Sequence, residues 1–271
     1  MLATGTDLLV RDGTAVAAIT TYTLESTAAI VRAAERLGRP VLLSAGASSY
    51  GAVGREPLAA AALAAAHGAR VPVGVHLDHC RDAEEIDACL ALGYSSVMID
   101  GSQLEFEANV ALTRTVVERA HAAGAWVEAE LGALSGDEDS SGAAAAGDMT
   151  DPAQAAEFAE RTGVDALAVA VGNVHGFTPE PVRLDLVRLR AIAEVCPAPL
   201  VLHGASGLPR ADLVGAVAAG VVKVNVNAEL RRAHLQAIRT ADVGDDVRAL
   251  QKLAIEAMTK VAEEKIALLA P

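Results

Sequence analysis

Short, continuously apolar runs recur through this chain, each followed by a stretch with helical spacing. The runs are Ala15–Thr20, Val41–Ser44, Val73–His79, Ser96–Asp100, Ala125–Leu131, Ala166–Val171, Pro199–His203 and Val221–Asn225. They do not alternate apolar with polar residues, as a strand with one wet face would. They read instead as parallel strands covered on both faces. Helical spacing runs over Leu24–Leu37, Glu56–His67, Asp82–Leu92, Phe106–Ala123, Asp151–Thr162, Leu184–Val195 and Pro209–Ala219, with alanine-rich helices from 228 onward. Gly38, Gly68, Gly93 and Gly220 stand where helices should stop, Asp82 at an N-cap, and Pro152 in a first helical turn.

About eight such units in 271 residues specify an α/β chain folded as a (β/α)8 TIM barrel. The spacing adds a short lead-in helix at 5–13 and an additional C-terminal helix, all in a single domain over residues 1–271. The alternative, an open doubly wound sheet, lacks its positive signature, because no GxGxxG follows the first strand. One connection breaks the rhythm. Gly132–Thr150 is rich in Gly, Ala, Ser and Asp and carries the acidic cluster Asp137-Glu138-Asp139. A connection of that length marks a lid or an unstructured segment, although a solvated turn would account for the acids as well.

A net charge of −13 with no long Lys/Arg cluster argues against a nucleic-acid partner. Apolar residues make up 52% of the chain, which excludes disorder for most of it. Cys80, Cys89 and Cys196 are odd in number and not in CxxC spacing, and no signal peptide is evident. No apolar run approaches the roughly 18 residues that span a bilayer. A soluble cytoplasmic protein with no membrane partner is expected.

Barrel enzymes carry their chemistry at the C-terminal ends of the strands. There the third strand supplies His76, Asp78 and His79, and the fifth Glu128 and Glu130. The sixth is followed by His175, the seventh ends at His203, and the eighth ends at Asn225 and Asn227. His67, His121 and His234 lie in helices and read as surface residues. A lone barrel histidine is more often a core residue. Three from different strands, with a carboxylate nearby, point to a metal. Such a His₃ or His₂Glu set with an open position suits catalytic Zn2+, with Co2+, Mn2+ or Fe2+ as other occupants. Period-two geometry puts His76 and Asp78 on one face and His79 on the other. Asp78 and His79 both reach the site only if the strand turns at its end, leaving His76 a supporting role. The glycine-rich stretch His203–Pro209 and the turn Asn225–Ala228 open helices with small residues, so backbone N–H groups can approach a phosphate there. Loops seven and eight are where barrels commonly hold phosphate, so a phosphorylated substrate is expected.

Taken together, these motifs resemble the class II, metal-dependent ketose-bisphosphate aldolases, close to those acting on fructose and tagatose bisphosphates. The likeness runs from about residue 5 to 268. It rests on Val75-His76-Leu77-Asp78-His79-Cys80, on Glu128-Ala129-Glu130-Leu131-Gly132 with Gly136-Asp137-Glu138-Asp139, and on Ile99-Asp100-Gly101-Ser102. It rests further on Gly172-Asn173-Val174-His175-Gly176, His203-Gly204-Ala205-Ser206-Gly207 and Lys223-Val224-Asn225-Val226-Asn227. The resemblance implies zinc on His79, His175 and His203, with Glu130 where a carboxylate contacts an alternative buried metal position. It implies Asp78 as proton donor to the C4 hydroxyl oxygen in condensation, and Glu138 exchanging the proton at the dihydroxyacetone-phosphate carbon. Substrate and phosphate would be held by Ser44, Gly176, Gly204, Ala205, Ser206, Asn225, Val226, Asn227 and Ala228, often with a monovalent cation. The implied reaction is reversible retro-aldol cleavage, its enediolate charge stabilised by the metal without a Schiff-base lysine. Lys223 is the only lysine in the strands, and the family pattern gives it no such role.

Several positions depart from that pattern. Ala18-Ile19-Thr20-Thr21-Tyr22 replaces an Asn-containing stretch, and Thr178-Pro179 replaces Tyr-Lys, removing a basic residue near the phosphates. Ala228 replaces a hydroxyl residue, Ser135 stands where glycine is usual, and a DPR-like stretch is absent at Ala241–Gly244. The expected metal and proton chemistry is kept while substrate contacts change. Two other readings remain, a non-catalytic partner subunit on the same barrel and a metal-dependent barrel hydrolase or isomerase. Leu250, Leu253, Ala257, Val261 and Leu268 fall on roughly helical spacing. That stripe either packs on its own barrel or supports the homodimer or homotetramer implied by the resemblance.

Overall fold

The computed structural model describes residues 1–4, 6–46, 49–133, 148–178 and 182–270. Residues 134–147 of the predicted lid, with Ser135 and Glu138, and Pro179 lie outside the described residues. Eight parallel strands close into a barrel in sequence order, with the first paired to the last. They are β1 (Val16–Thr20), β2 (Val41–Gly46), β3 (Val73–Cys80), β4 (Ser96–Ile99), β5 (Trp126–Leu131), β6 (Ala166–Val169), β7 (Leu200–Leu202) and β8 (Val221–Val226). The helices are α1 (Leu24–Leu37), α2 (Tyr50–Val53), α3 (Arg55–Gly68), α4 (Ala83–Leu92), α5 (Phe106–Ala122), α6 (Pro152–Thr162), α7 (Leu186–Val195), α8 (Arg210–Ala218), α9 (Ala228–Thr240) and α10 (Val247–Leu269).

Local chemistry explains many of these boundaries. Thr23 and Ser26 form a reciprocal capping box at the start of α1, and Gly38 ends that helix in the left-handed conformation at φ 63°. Asp82, Asp151, Asp185 and Asp246 each accept backbone N–H groups at helix starts. The lead-in helix predicted at 5–13 contracts to one 3-10 turn, Thr6–Leu8. Gly13, at φ 86°, and Asp12, which accepts from Thr14 N and Oγ1, do not sustain a longer helix. The short α2 has no counterpart in the sequence reading.

Two apolar cores follow from the strand pleat. One set of strand residues meets the surrounding helices, a layer including Ile19, Leu43, Leu77, Val127 and Leu167. The other set fills the bottom of the barrel with Val16, Ala18, Leu42, Met98, Trp126, Ala166, Ala168 and Val201, closed from below by Leu8 and Leu9. Gly74 is required in that floor. A Cβ there would run into the Leu42 side chain and approach Leu8.

The last helix, α10, packs along α1 and α9. Its buried stripe is Ala254, Met258, Ala262 and Ile266, offset from the stripe expected at Leu250, Leu253, Ala257 and Val261. Leu268 is buried as anticipated, whereas Leu253 is exposed. Among the described residues no helix is long and apolar enough to cross a membrane.

Candidate active site

Above the apolar floor the barrel interior turns polar. His76, Ser96, Glu128 and Lys223 form the first polar level, each of them fully buried. His76 stacks on Trp126 and its Nδ1 lies 2.9 Å from Ser96 Oγ. It therefore joins the floor to the site.

The next level holds the expected catalytic residues, and the strand does turn. His79 has φ 45°, the only positive φ at a non-glycine among the described residues. The pairing of β3 with β4 slips between Leu77 and Cys80. This kink lets two consecutive side chains, Asp78 and His79, face the same cavity, against the pleat that would send them apart.

One donor atom each from His79, His175 and His203 lies within 4.8 Å of the others. His79 Nε2 is 2.8 Å from His203 Nδ1. Each of these two rings is oriented from behind by a carboxylate. His203 Nε2 donates to Glu128 Oε1 at 2.6 Å, leaving Nδ1 toward the triad. His79 turns Nδ1 toward Asp100, 3.7 Å away, and Glu130, 3.8 Å away. Burial, with Lys223 and His79 nearby, pushes the His203 pKa well below the ordinary imidazole value, so the ring is neutral. Three converging imidazoles, two of them with far nitrogens facing carboxylates, are the donor set of a divalent-metal site with room for further ligands. The residues present fit such an ion. Glu130, expected as a further ligand, lies against the outer nitrogen of His79, outside the three converging donors.

Asp78 is buried, and both its oxygens accept from Asn225 Nδ2, at 3.1 Å each. Burial works to raise its pKa. His79 and Lys223 outweigh that and hold the carboxyl below its usual value. Asp100, set behind His79, is also pulled far down despite its burial, by hydrogen bonds from His79 and Ser102 and by Arg81.

The small-residue turns are tied together by backbone approach. Gly204 has φ 61°, and a Cβ there would overlap the carbonyl of Val174, so only glycine allows loops six and seven to touch. Asn173 staples the same loops, with Oδ1 accepting from Val171 N at 2.7 Å and Nδ2 donating to His203 O at 3.0 Å. Ala205, Ser206, Val226, Asn227 and Ala228 are buried beside them, and Gly176 is half-buried. The Ser44 hydroxyl, in register with His76, is buried and makes no hydrogen bond among the described residues. Tyr22, in the stretch that departs from the family pattern, donates to Asn227 Oδ1 at 2.7 Å and joins loop one to loop eight. His67 and His121 are exposed and His234 half-buried, all three away from this cavity.

The sequence reading named Glu128 as a strand-end residue but gave it no part. Its signal was present, since Glu128 and Glu130 are two apart and share a face. Asn173, Tyr22 and Arg81 carried no comparable signal.

A closed parallel barrel whose C-terminal mouth brings together a buried aspartate and three histidines able to hold a metal has the layout of a barrel enzyme. Residues 7–270 match the profile of a family described as fructose-bisphosphate aldolase class II. The D-tagatose-1,6-bisphosphate aldolase subunit GatY of Klebsiella oxytoca is 42% identical over 230 residues, covering 84% of this chain and 81% of that protein. A fructose-bisphosphate aldolase of Thermus caldophilus is 42% identical over 272 aligned positions, 88% of this chain and 87% of that one. Among solved structures, the YdjI aldolase of Escherichia coli K12 superposes with a TM-score of 0.90 at 34% identity, covering 99% of this chain and 97% of its own. The chain belongs to the class II fructose-bisphosphate aldolase family. It is an aldehyde lyase of a family that acts on phosphorylated sugars and is generally zinc-dependent.

Proposed function

We propose that this chain cleaves a ketose 1-phosphate or ketose 1,6-bisphosphate, reversibly, to dihydroxyacetone phosphate and an aldehyde. The observation that carries this reading is the meeting of three histidine donors beside Asp78, a buried carboxylate kept ionised. His79, His175 and His203 would hold Zn2+, for which Co2+ or Mn2+ can stand in, with Glu130 offering a carboxylate beside His79. Bound there, the ion supplies Lewis acidity for the negative charge that develops on the substrate oxygens as the carbon–carbon bond breaks.

The remaining steps belong to the protein. Asp78 takes the C4 hydroxyl proton in cleavage and returns it in condensation. Its low pKa makes it a base at the outset, and the two contacts from Asn225 fix the carboxylate's orientation. Glu138 exchanges the proton at the dihydroxyacetone-phosphate carbon, a role that rests on its motif alone. The phosphate lies on the backbone of Gly176, Gly204–Ser206 and Asn225–Ala228, near Ser44 and a monovalent cation. Support comes from the start of α9 at Ala228, directly after the Asn225–Asn227 turn, and from the Ser44 hydroxyl, which makes no hydrogen bond among the described residues.

The names of the two 42%-identical relatives favour a bisphosphate, whereas Thr178-Pro179 in place of Tyr-Lys favours a different far end. The barrel would act as one domain, as a homodimer or homotetramer. Leu235, Ile238, Val247 and Leu253, exposed on α9 and α10, support that assembly. Three free buried cysteines suit the cytoplasm.

The test is a screen of ketose mono- and bisphosphates for aldehyde release by the full chain. Cleavage should vanish on treatment with EDTA and return with Zn2+ or Co2+. Activity that survives complete metal removal would sink the reading.

A further inference from the structure

Among the described residues Lys223 is the only lysine or arginine that is buried, with no exposed surface at all. An ammonium taken out of water is costly unless its donors are met, so the groups around it identify its task. Two are close. Lys223 Nζ is 2.8 Å from Glu128 Oε2 and 2.6 Å from Asn225 Oδ1.

Each of these partners has its other end committed to the reacting centre. Glu128 uses Oε1 to accept from His203 Nε2 at 2.6 Å. Asn225 uses Nδ2 to hold both oxygens of Asp78 at 3.1 Å. Neither end is free to choose. An ammonium has donors and no acceptor, so it can face only the oxygen of a carboxamide, and this turns the Asn225 nitrogen toward Asp78. The ammonium likewise occupies Glu128 Oε2 and leaves Oε1 facing His203. Oε1 accepts the proton on His203 Nε2, which leaves the Nδ1 lone pair toward the triad.

We propose that Lys223 is a positioning residue that sets both the tautomer of His203 and the orientation of Asp78. It never touches substrate. One fixed cation, reached through two intermediaries, aligns a metal ligand and the proton-transferring carboxylate together. The sequence allows this economically. Lys223 and Asn225 lie two apart on β8 and share its inward side, and Lys223 is flanked by apolar Val222 and Val224. A purely structural role, a charge plugging the barrel against Glu128, would need neither the Asn225 contact nor the His203 contact beyond it.

The inference rests on the roles proposed above for Asp78 and His203, so the unmodified enzyme is measured first. An inactive wild type, or one indifferent to Asp78→Asn, would overturn those roles. Two variants of the full chain then test Lys223. Lys223→Met removes the cation at similar length. Lys223→Met with Glu128→Gln also removes the buried charge left behind, and conserves volume. Both are loaded with Co2+ alone for visible absorption spectra, and with Zn2+ for cleavage kinetics.

The expected result is a kcat lower by about 100-fold or more in both variants, with KM within about threefold of wild type. The Co2+ absorption bands should shift, because His203 is no longer held in one tautomer, and this needs no turnover to read. The double variant should melt near the wild-type temperature while remaining slow. A folded double variant with wild-type bands and a kcat within about threefold of wild type would overturn the proposal. Failure of both variants to fold would also overturn it, by assigning Lys223 to the fold and not to the site.

Discussion

Arg81 and Asp100 form a two-nitrogen clamp at the rim, with Nε 3.0 Å and Nη2 2.9 Å from the same oxygen, Oδ2. That oxygen also faces His79 Nδ1, at 3.7 Å. The carboxylate thus stands between an exposed guanidinium and a member of the histidine triad. Its pKa lies far below the carboxylate range, so it stays charged throughout the pH range of any assay. Asp100→Asn should therefore weaken zinc binding by about tenfold, the low end for loss of a carboxylate behind a ligand histidine. Competition with a chromophoric chelator would measure this. An unchanged affinity would mean that Glu130 alone orients the ring.

Asp78→Asn keeps the size and one acceptor of the side chain and removes its ability to carry the proton. The variant should bind zinc as the wild type does and lose about 10²–10⁴ in kcat for cleavage. Stopped assays of aldehyde release, with zinc content by atomic absorption, separate the two effects. Loss of zinc in parallel with activity would make Asp78 a contributor to the metal site.

The cysteines make a prediction in pH. Burial pushes the Cys80 thiol up to about 11 and the Cys89 thiol up to about 12, and raises Cys196 as well. All three are neutral in the folded chain at pH 8, and thiol reagents should label none of them until denaturant is added. The linkage runs toward instability in alkali. The unfolded thiols ionise near pH 8.5 while the folded ones do not. The stabilisation is therefore complete below about 8.5 and declines as pH climbs toward the folded values. Urea midpoints at pH 8 and pH 10 would show it, with a lower midpoint at pH 10.

Gly74→Ala tests the floor of the barrel apart from its mouth. The added methyl meets the Leu42 side chain, and overpacking of this kind typically costs about 1–3 kcal/mol. Thermal melting should register that loss, while zinc affinity and KM remain at their wild-type values. A change in KM would mean that the floor and the mouth of the barrel are mechanically coupled.

Much of this molecule was legible from pattern alone, because its strands are apolar on both sides and five of the ten described helices carry a side-chain N-cap. The boundaries of α1 and the Asp82 cap of α4 match the sequence reading. Boundaries slip by a residue or two where closure of the barrel decides them, as at β6 and β7. The histidines were legible by type and strand position. Which nitrogen of each faces the triad was not, since that depends on Glu128 and Asp100, brought up from other strands. Lys223 was visible as a lone lysine in apolar surroundings, but Glu128 reaches it from another strand, and which atom of Asn225 faces it is not set by spacing. The kink at His79 could be stated only as a condition, because no glycine marks it.

That kink has a further consequence. Donors drawn from different strands keep their separation only as well as the barrel keeps its shape, and any breathing of the sheet changes it. Asp78 and His79 are joined by one peptide bond and open into the same cavity. The span between a triad member and the proton-transferring group is thus set by covalent geometry. Substitutions that loosen the barrel wall will disturb the spacing among the three histidines before they disturb this pair.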